Sequence, residues 1–203
     1  DVWVPCTEKV KPQIGIQYAL GHYALFGDKK FETSVEVYYK DLKNQLEYRE
    51  SYVENFSAEL ENEFISGKGK AYGIEFLIKK NKGRWNGWLG YTLSRSERQF
   101  EEVENGRVFP ATYDRPHDVV AVVNFKLSKN WECSSNFIYA SGRRYTPVQG
   151  VFLINNRPNV EYGPRNSDKL KDYHRMDLSL IYKNDAKKNR KFNSSWAFSV
   201  YNL

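Results

Sequence analysis

Eight stretches of this chain alternate apolar and polar side chains with a period of two, and the connections between them are short and long by turns. Ile14/Ile16/Tyr18/Leu20, Phe31/Val35/Val37/Tyr39, Tyr72/Ile74/Phe76/Ile78 and Trp85/Leu89/Tyr91/Leu93 each put apolar side chains two residues apart. Val119/Ala121/Val123/Phe125/Leu127, Trp131/Cys133/Phe137/Tyr139, Met176/Leu178/Leu180/Tyr182 and Trp196/Phe198/Val200 repeat the pattern. Successive side chains of a strand point to opposite faces, so each segment carries one apolar and one polar face. The polar faces hold Glu32, Ser34, Glu36 and Lys40; Glu75 and Lys79; Asn86, Thr92, Ser94 and Ser96; Glu132, Ser134 and Asn136; and Arg175, Asp177 and Ser179. The spacing predicts strands at about 12–25, 30–41, 69–80, 84–97, 117–128, 131–142, 173–183 and 192–203. Each is as long as a tilted strand that crosses a bilayer.

Turn chemistry separates the two kinds of connection. Gly27-Asp28 and Asn81-Lys82-Gly83 are residues that tolerate positive φ, as tight hairpins require, and Ser128–Asn130 and Asn184–Lys191 complete the short set. The long connections are about 42–68, 98–116 and 143–172. Within the first, Leu46/Tyr48 alternate with Glu47/Arg49, which predicts an extra ribbon running past the membrane. Short turns on one side and long loops on the other mark an antiparallel, up-and-down transmembrane β-barrel wall, whose periplasmic turns are short and whose outer loops are long. Both chain ends then fall on the long-loop side, which predicts an incomplete slice of about eight strands from a larger barrel.

Composition sharpens the choice. Aromatic residues make up 16% of the 203 residues, with 15 Tyr against 12 Phe, yet mean hydropathy is −0.71. A chain that spends its apolar residues on one face of each strand reconciles those values. No run approaches the ~18 apolar residues of a membrane-spanning helix. Tyr39, Tyr72, Trp85, Trp131, Tyr139, Tyr182 and Trp196 recur near strand ends, as interfacial girdles require. A soluble or surface-attached β-sandwich that binds glycans would share the alternation without a reason for that placement; it is the alternative reading.

The net charge of +6 does not form a nucleic-acid-binding stripe. Lys29, Lys30, Lys79, Lys80, Lys82, Arg84, Lys183, Lys187, Lys188, Arg190 and Lys191 collect at the short turns, while Glu47, Glu50, Glu54, Glu59, Glu61 and Glu63 face a single Arg49 in the first long loop. Opposite charges therefore sit at opposite strand ends. Cys6 and Cys133 stand outside any CxxC pair, and His22, His117 and His174 share no ligand spacing, so no metal site, cofactor or catalytic residue is expected. In Tyr113-Asp114-Arg115-Pro116-His117-Asp118, strand alternation splits His117 from Asp118; Asp114 and Arg115 are expected to pair and fix the loop base. Arg143, Arg144, Tyr145, Arg157, Tyr162, Arg165 and Asn166 combine guanidinium forks with rings, a chemistry suited to carboxylate or phosphate. They are the candidate ligand contacts.

Five stretches carry a resemblance. GKGKAYGIEFLIKK at 67–80, VFPATYDRPHDVV at 108–120, IYASGRRYTPVQG at 138–150, EYGPRNSDKLKDYHRMDLSLIYK at 161–183 and SWAFSVYNL at 195–203 occur in the order and spacing of the carboxy-terminal barrel of TonB-dependent outer-membrane receptors, especially the Bacteroidetes type. The likeness is good over 67–203 and loose before it. It implies a barrel of twenty-two strands in the outer membrane of a Gram-negative bacterium. A plug domain of the same full-length receptor would fill the barrel, the TonB system would act on that plug, and the cargo would be an iron chelate, cobalamin, glycan or peptide. Glu36, Glu75, Asn136, Arg175 and Asp177 would then look into the lumen at the plug, with Gly73 allowing close approach beside Glu75. The sequence itself carries neither a plug nor a TonB-contacting segment, so this chain would supply wall and loop surface.

Overall fold

A computed structural model describes residues 5–48, 60–184 and 194–203. The strands are β1 (Ile14–Phe26), β2 (Phe31–Tyr48), β3 (Phe64–Lys80), β4 (Trp85–Gln99), β5 (Phe109–Pro110), β6 (His117–Lys126), β7 (Trp131–Ala140), β8 (Arg144–Tyr145), β9 (Val148–Ile154), β10 (Arg157–Tyr162), β11 (Asp168–Lys169), β12 (Tyr173–Lys183) and β13 (Ser195–Val200). The order β1-β2-β3-β4-β6-β7-β12-β13 forms one antiparallel sheet, with β5 added beside β4. Among the described residues the sheet is open, since β1 and β13 pair only with β2 and β12. All eight expected wall strands are present, within a few residues at most ends.

The first long connection behaves differently from an ordinary loop. β2 and β3 run on past the expected ends at 41 and 69 and pair from Phe31↔Lys80 to Tyr48↔Phe64, so the expected extra ribbon is the continuation of one hairpin. A bulge lies between Lys43 and Gln45, where Asn44 takes a left-handed φ of 54°. The extra residue shifts the facing pattern beyond it. Arg49 and the acidic residues Glu50, Glu54 and Glu59 lie outside the described residues, as do Lys187, Lys188, Arg190 and Lys191 of the last short turn.

Cross-strand partners share a face, so the register assigns every wall residue to one side. One face reads Ile78↔Leu89, Leu89↔Ala121, Ala121↔Phe137 and Phe137↔Met176 across five strands. Leu20, Phe198 and Trp196 on it are 80%, 61% and 63% exposed, and no second sheet or helix packs there among the described residues. The sandwich reading therefore fails as a fold. Trp131↔Tyr182↔Trp196 bounds this face at the short-turn end. Tyr18↔Tyr39↔Tyr72 on the first three strands and Tyr139↔His174 further along bound it at the other. The eight residue steps from Trp131 to Tyr139 span about 26 Å along the strand, or roughly 20 Å along the normal at a ~40° tilt.

Among the described residues, hydrophobic burial is confined to the long-loop end. Ile65, Phe100, Val103 and Phe109 form the buried apolar cluster. Gly67 is required there, because a Cβ would stand 2.3 Å from the Phe100 ring. Inside the third long connection, β9 and β10 form a hairpin that the sequence reading did not anticipate. Its turn residues Asn155 and Asn156 have φ of 50° and 60°, the type I′ geometry that Asn accepts.

Candidate ligand-binding rim

The three long connections meet above the sheet, and Asp114 sits at their base with 1% of its surface exposed. Its Oδ1 accepts the Ser96 amide at 2.8 Å and its Oδ2 accepts Arg95 Nη1 at 3.1 Å. Arg144 Nε lies 3.5 Å from the same Oδ2. A buried carboxylate persists when charge and hydrogen bonds compensate its lost hydration. The expected Asp114–Arg115 pair is therefore replaced. Adjacent side chains in extended backbone point apart, and the Arg115 carbonyl instead accepts the Ser94 hydroxyl at 3.2 Å. The true partners come from 19 residues before and 30 after.

Arg165 and Asn166 stitch the rim. The Arg165 amide donates to Glu104 Oε1 at 2.5 Å in the second long connection, and its Nη2 lies 3.0 Å from Glu47 Oε1 in the first. Asn166, 5% exposed, donates Nδ2 to the Pro110 carbonyl at 2.8 Å and its amide to Thr146 Oγ1 at 3.1 Å. One dipeptide thus joins all three long connections.

Asp172 anchors the return into β12. Tyr139 donates its hydroxyl to Oδ2 at 2.7 Å, while the Gly142 amide and Lys169 Nζ donate to Oδ1 at 3.0 and 3.2 Å. These donors, the phenol first, favour the anion and pull the carboxyl from 3.8 to about 2. The Asp168 carboxyl is also lowered, mainly by the Lys169 amide and then by the Tyr145 hydroxyl.

Of the seven candidate ligand contacts, four have internal partners. Arg144 serves Asp114, Arg165 serves Glu47, Asn166 ties backbone, and Tyr145 donates its hydroxyl to Asp168 at 2.9 Å. Arg157 and Tyr162 are exposed, and the exposed Arg143 lies over the Tyr113 ring at 6.0 Å. Tyr162 and Arg165 line a cleft of about 550 Å³ with Glu102, Glu104, Asn105, Thr146 and Gly163. None of those five was singled out in the sequence. The Asn105-Gly106 pair was a readable turn signal, but nothing local marked Glu102 or Glu104 as cleft walls.

Glu36, Glu75, Asn136, Arg175 and Asp177 all lie on the polar face. Glu36↔Glu75, Glu75↔Thr92 and Thr92↔Asp118 form a continuous row, and Asn136 is directly opposite Asp177. Arg175 Nε donates to Asp177 Oδ1 at 2.8 Å. Gly73 brings strands close beside Glu75, since a Cβ there would sit 2.6 Å from the Leu93 carbonyl oxygen.

Comparison with known proteins follows the same lines. A family model described as TonB dependent receptor-like, beta-barrel, matches residues 7–203. The crystal structure of the ferric-catecholate import receptor Fiu from E. coli K12 is similar in fold, with a TM-score of 0.63 and 16% identity over 97% of this chain and 24% of that one. The ferripyoverdine receptor of the Pseudomonas aeruginosa outer membrane, bound to ferripyoverdine, gives 0.60 and 16% over 85% and 22%. An FpvAI–pyocin S2 complex gives 0.60 and 16% over the same shares. The chain spans about a quarter of the length of these structures. No curated protein matches it by sequence, and neither comparison singles out the Bacteroidetes type.

Proposed function

Because the chain belongs to the TonB-dependent receptor family through its β-barrel domain, we propose that it forms wall and outer-loop surface of a receptor for energy-coupled uptake of a scarce nutrient across a Gram-negative outer membrane. The observation that carries this reading is the uncovered apolar face, continuous over eight strands and bounded by aromatic side chains at both ends. Hydrocarbon is the solvent such a face requires, and in hydrocarbon only a closed sheet satisfies its backbone. The two open edges therefore pair with further strands of the same receptor.

The polar face turns to the barrel interior. There Glu36, Glu75, Asn136, Arg175 and Asp177 meet the receptor's own plug domain, on which the TonB system acts. The rim takes the cargo. Iron chelates are the favoured class, because the two receptors similar in fold are described as a ferric-catecholate importer and a ferripyoverdine receptor. Tyr162 and the exposed Arg143 and Arg157 are its first contacts, and no chemistry is performed on it.

The test is uptake of labelled ferric chelates by cells carrying the full-length receptor, with and without a protonophore and with and without TonB. Chelate uptake that needs both the proton gradient and TonB supports the reading. A full-length protein that leaves membranes without detergent as a monodisperse monomer overturns it.

A further inference from the structure

Above the aromatic row, the lipid-side face does not simply become polar; it sets two like charges against each other. On β2 and β3 the register continues from Tyr39↔Tyr72 to Asp41↔Lys70 and then to Lys43↔Lys68. Directly opposed like charges on one sheet face are destabilising. Lys70 is neutralised by Glu97 at 3.1 Å, and Lys43 has Asp41 at 4.0 Å. Lys68 has no acidic partner within ion-pair distance among the described residues. Both opposed lysines are exposed. They line a cleft of about 300 Å³ with Asn44, Ser66, Gly67, Gln99 and Glu101. One carboxylate there faces two ammonium groups, a hydroxyl and two amides.

We propose that Lys43 and Lys68 bind the phosphate of an outer-leaflet lipid headgroup, with the Ser66 hydroxyl as a neutral hydrogen-bonding neighbour; Asn44 Nδ2 and Gln99 Nε2 already donate to the Pro12 and Gly106 carbonyls, both at 2.9 Å. This rests on the membrane reading above. An anion between two ammonium groups turns a repulsive pair into a bridge, and lysine is a competent point-charge ligand for phosphate. Height selects the lipid over a soluble anion. The site lies four residues beyond Tyr39 and Tyr72 on the same face, about 13 Å along the strand and roughly 10 Å along the membrane normal. The headgroup layer is about 5–7.5 Å thick on each side, so the site stands a few ångströms above it, and flexible lysine stems reach down into it. The face is also continuous with the belt that hydrocarbon covers, so a lipid already seated there presents its phosphate without leaving the bilayer.

The experiment uses the full-length receptor in neutral detergent micelles, titrated with diacyl phosphatidic acid or with diacylglycerol of the same chains. Affinity for the phosphatidic acid is expected to fall about thirtyfold in the Lys43→Gln/Lys68→Gln double variant, from the loss of two surface cations. It is expected to be kept in Lys43→Arg/Lys68→Arg and in Lys129→Gln at the opposite end, with diacylglycerol indifferent to all of them. An unchanged affinity in the Gln variant, or equal competition by inorganic phosphate at matched concentration, overturns the proposal. A receptor that needs no detergent at all fails the membrane reading instead, and is scored before any titration.

Discussion

The wall and the rim of this sheet are stabilised in opposite ways. In the wall, large apolar side chains such as Leu20 and Trp196 are exposed, and order comes from uninterrupted ladders such as the thirteen-residue register between β1 and β2. In the rim, apart from the β9–β10 hairpin and the run-on of β2 and β3, the ladders are two residues long, in β5, β8 and β11. Order there comes from a four-residue apolar cluster and from buried polar groups, Asp114 and Asn166. The wall depends on its solvent being lipid; the rim is organised by contacts within the chain. A change of side-chain polarity should therefore be felt in the wall through its surroundings, and in the rim through named partners.

The largest effect should come from polarity at mid-belt. Val123 on β6 lies opposite Ser135, midway between Trp131 and Tyr139 on β7, so Val123→Arg is expected to cost about 2–4 kcal/mol in denaturant unfolding from lipid, as for a cation at the midplane. Ser134→Arg, on the opposite face, should cost far less. Equal costs would break the assignment of faces. Asp114→Ala should come next, at about 3 kcal/mol, because it leaves Arg144 and the Ser96 amide without their carboxylate. Hydrogen exchange at the rim should accelerate while belt amides stay protected; acceleration throughout would mean that wall and rim are one cooperative unit.

Gly142→Ala sharpens the same boundary. A Cβ there would stand 1.8 Å from the Leu170 carbonyl oxygen, and relief by backbone shift should cost about 1–3 kcal/mol, read as faster proteolysis between 143 and 172. Arg165→Ala should cost about 1 kcal/mol or less, since its side chain and that of Glu47 are each about a third exposed. Its diagnostic effect is loss of coordinated protection across all three long connections. The smallest effect is acid sensitivity at Asp172. Its carboxyl is depressed from 3.8 to about 2 in the fold, so its contribution is complete above about 4 and fades as pH falls toward 2. Exchange of the Gly142 amide should rise across that window, and Asp172→Asn should abolish the pH dependence.

Legibility followed the same division. The faces of β1 to β4 could be read because period two is a local property that no distant contact needs to supply. The run-on of β2 and β3 was visible as Leu46/Tyr48 alternating with Glu47/Arg49, although it read as a separate ribbon. The β9–β10 hairpin was missed because Val148–Ile154 carries apolar residues on both faces, and a short apolar run gives no period. The basic character of 143–166 pointed to anion capture. It did not disclose that Arg144 and Arg165 already hold carboxylates, and Asp114 and Glu47 stand 30 and 118 residues from those partners.

By its sequence alone this chain determined an all-β wall, the side on which each strand is apolar, and which connections are short, because strand alternation and turn chemistry act over two to four residues. Only the tertiary structure decided which carboxylate each rim arginine meets and that Lys43 faces Lys68. Those pairings depend on register and on loops brought together from separate hairpins, and charge attracts any partner of opposite sign until geometry selects one.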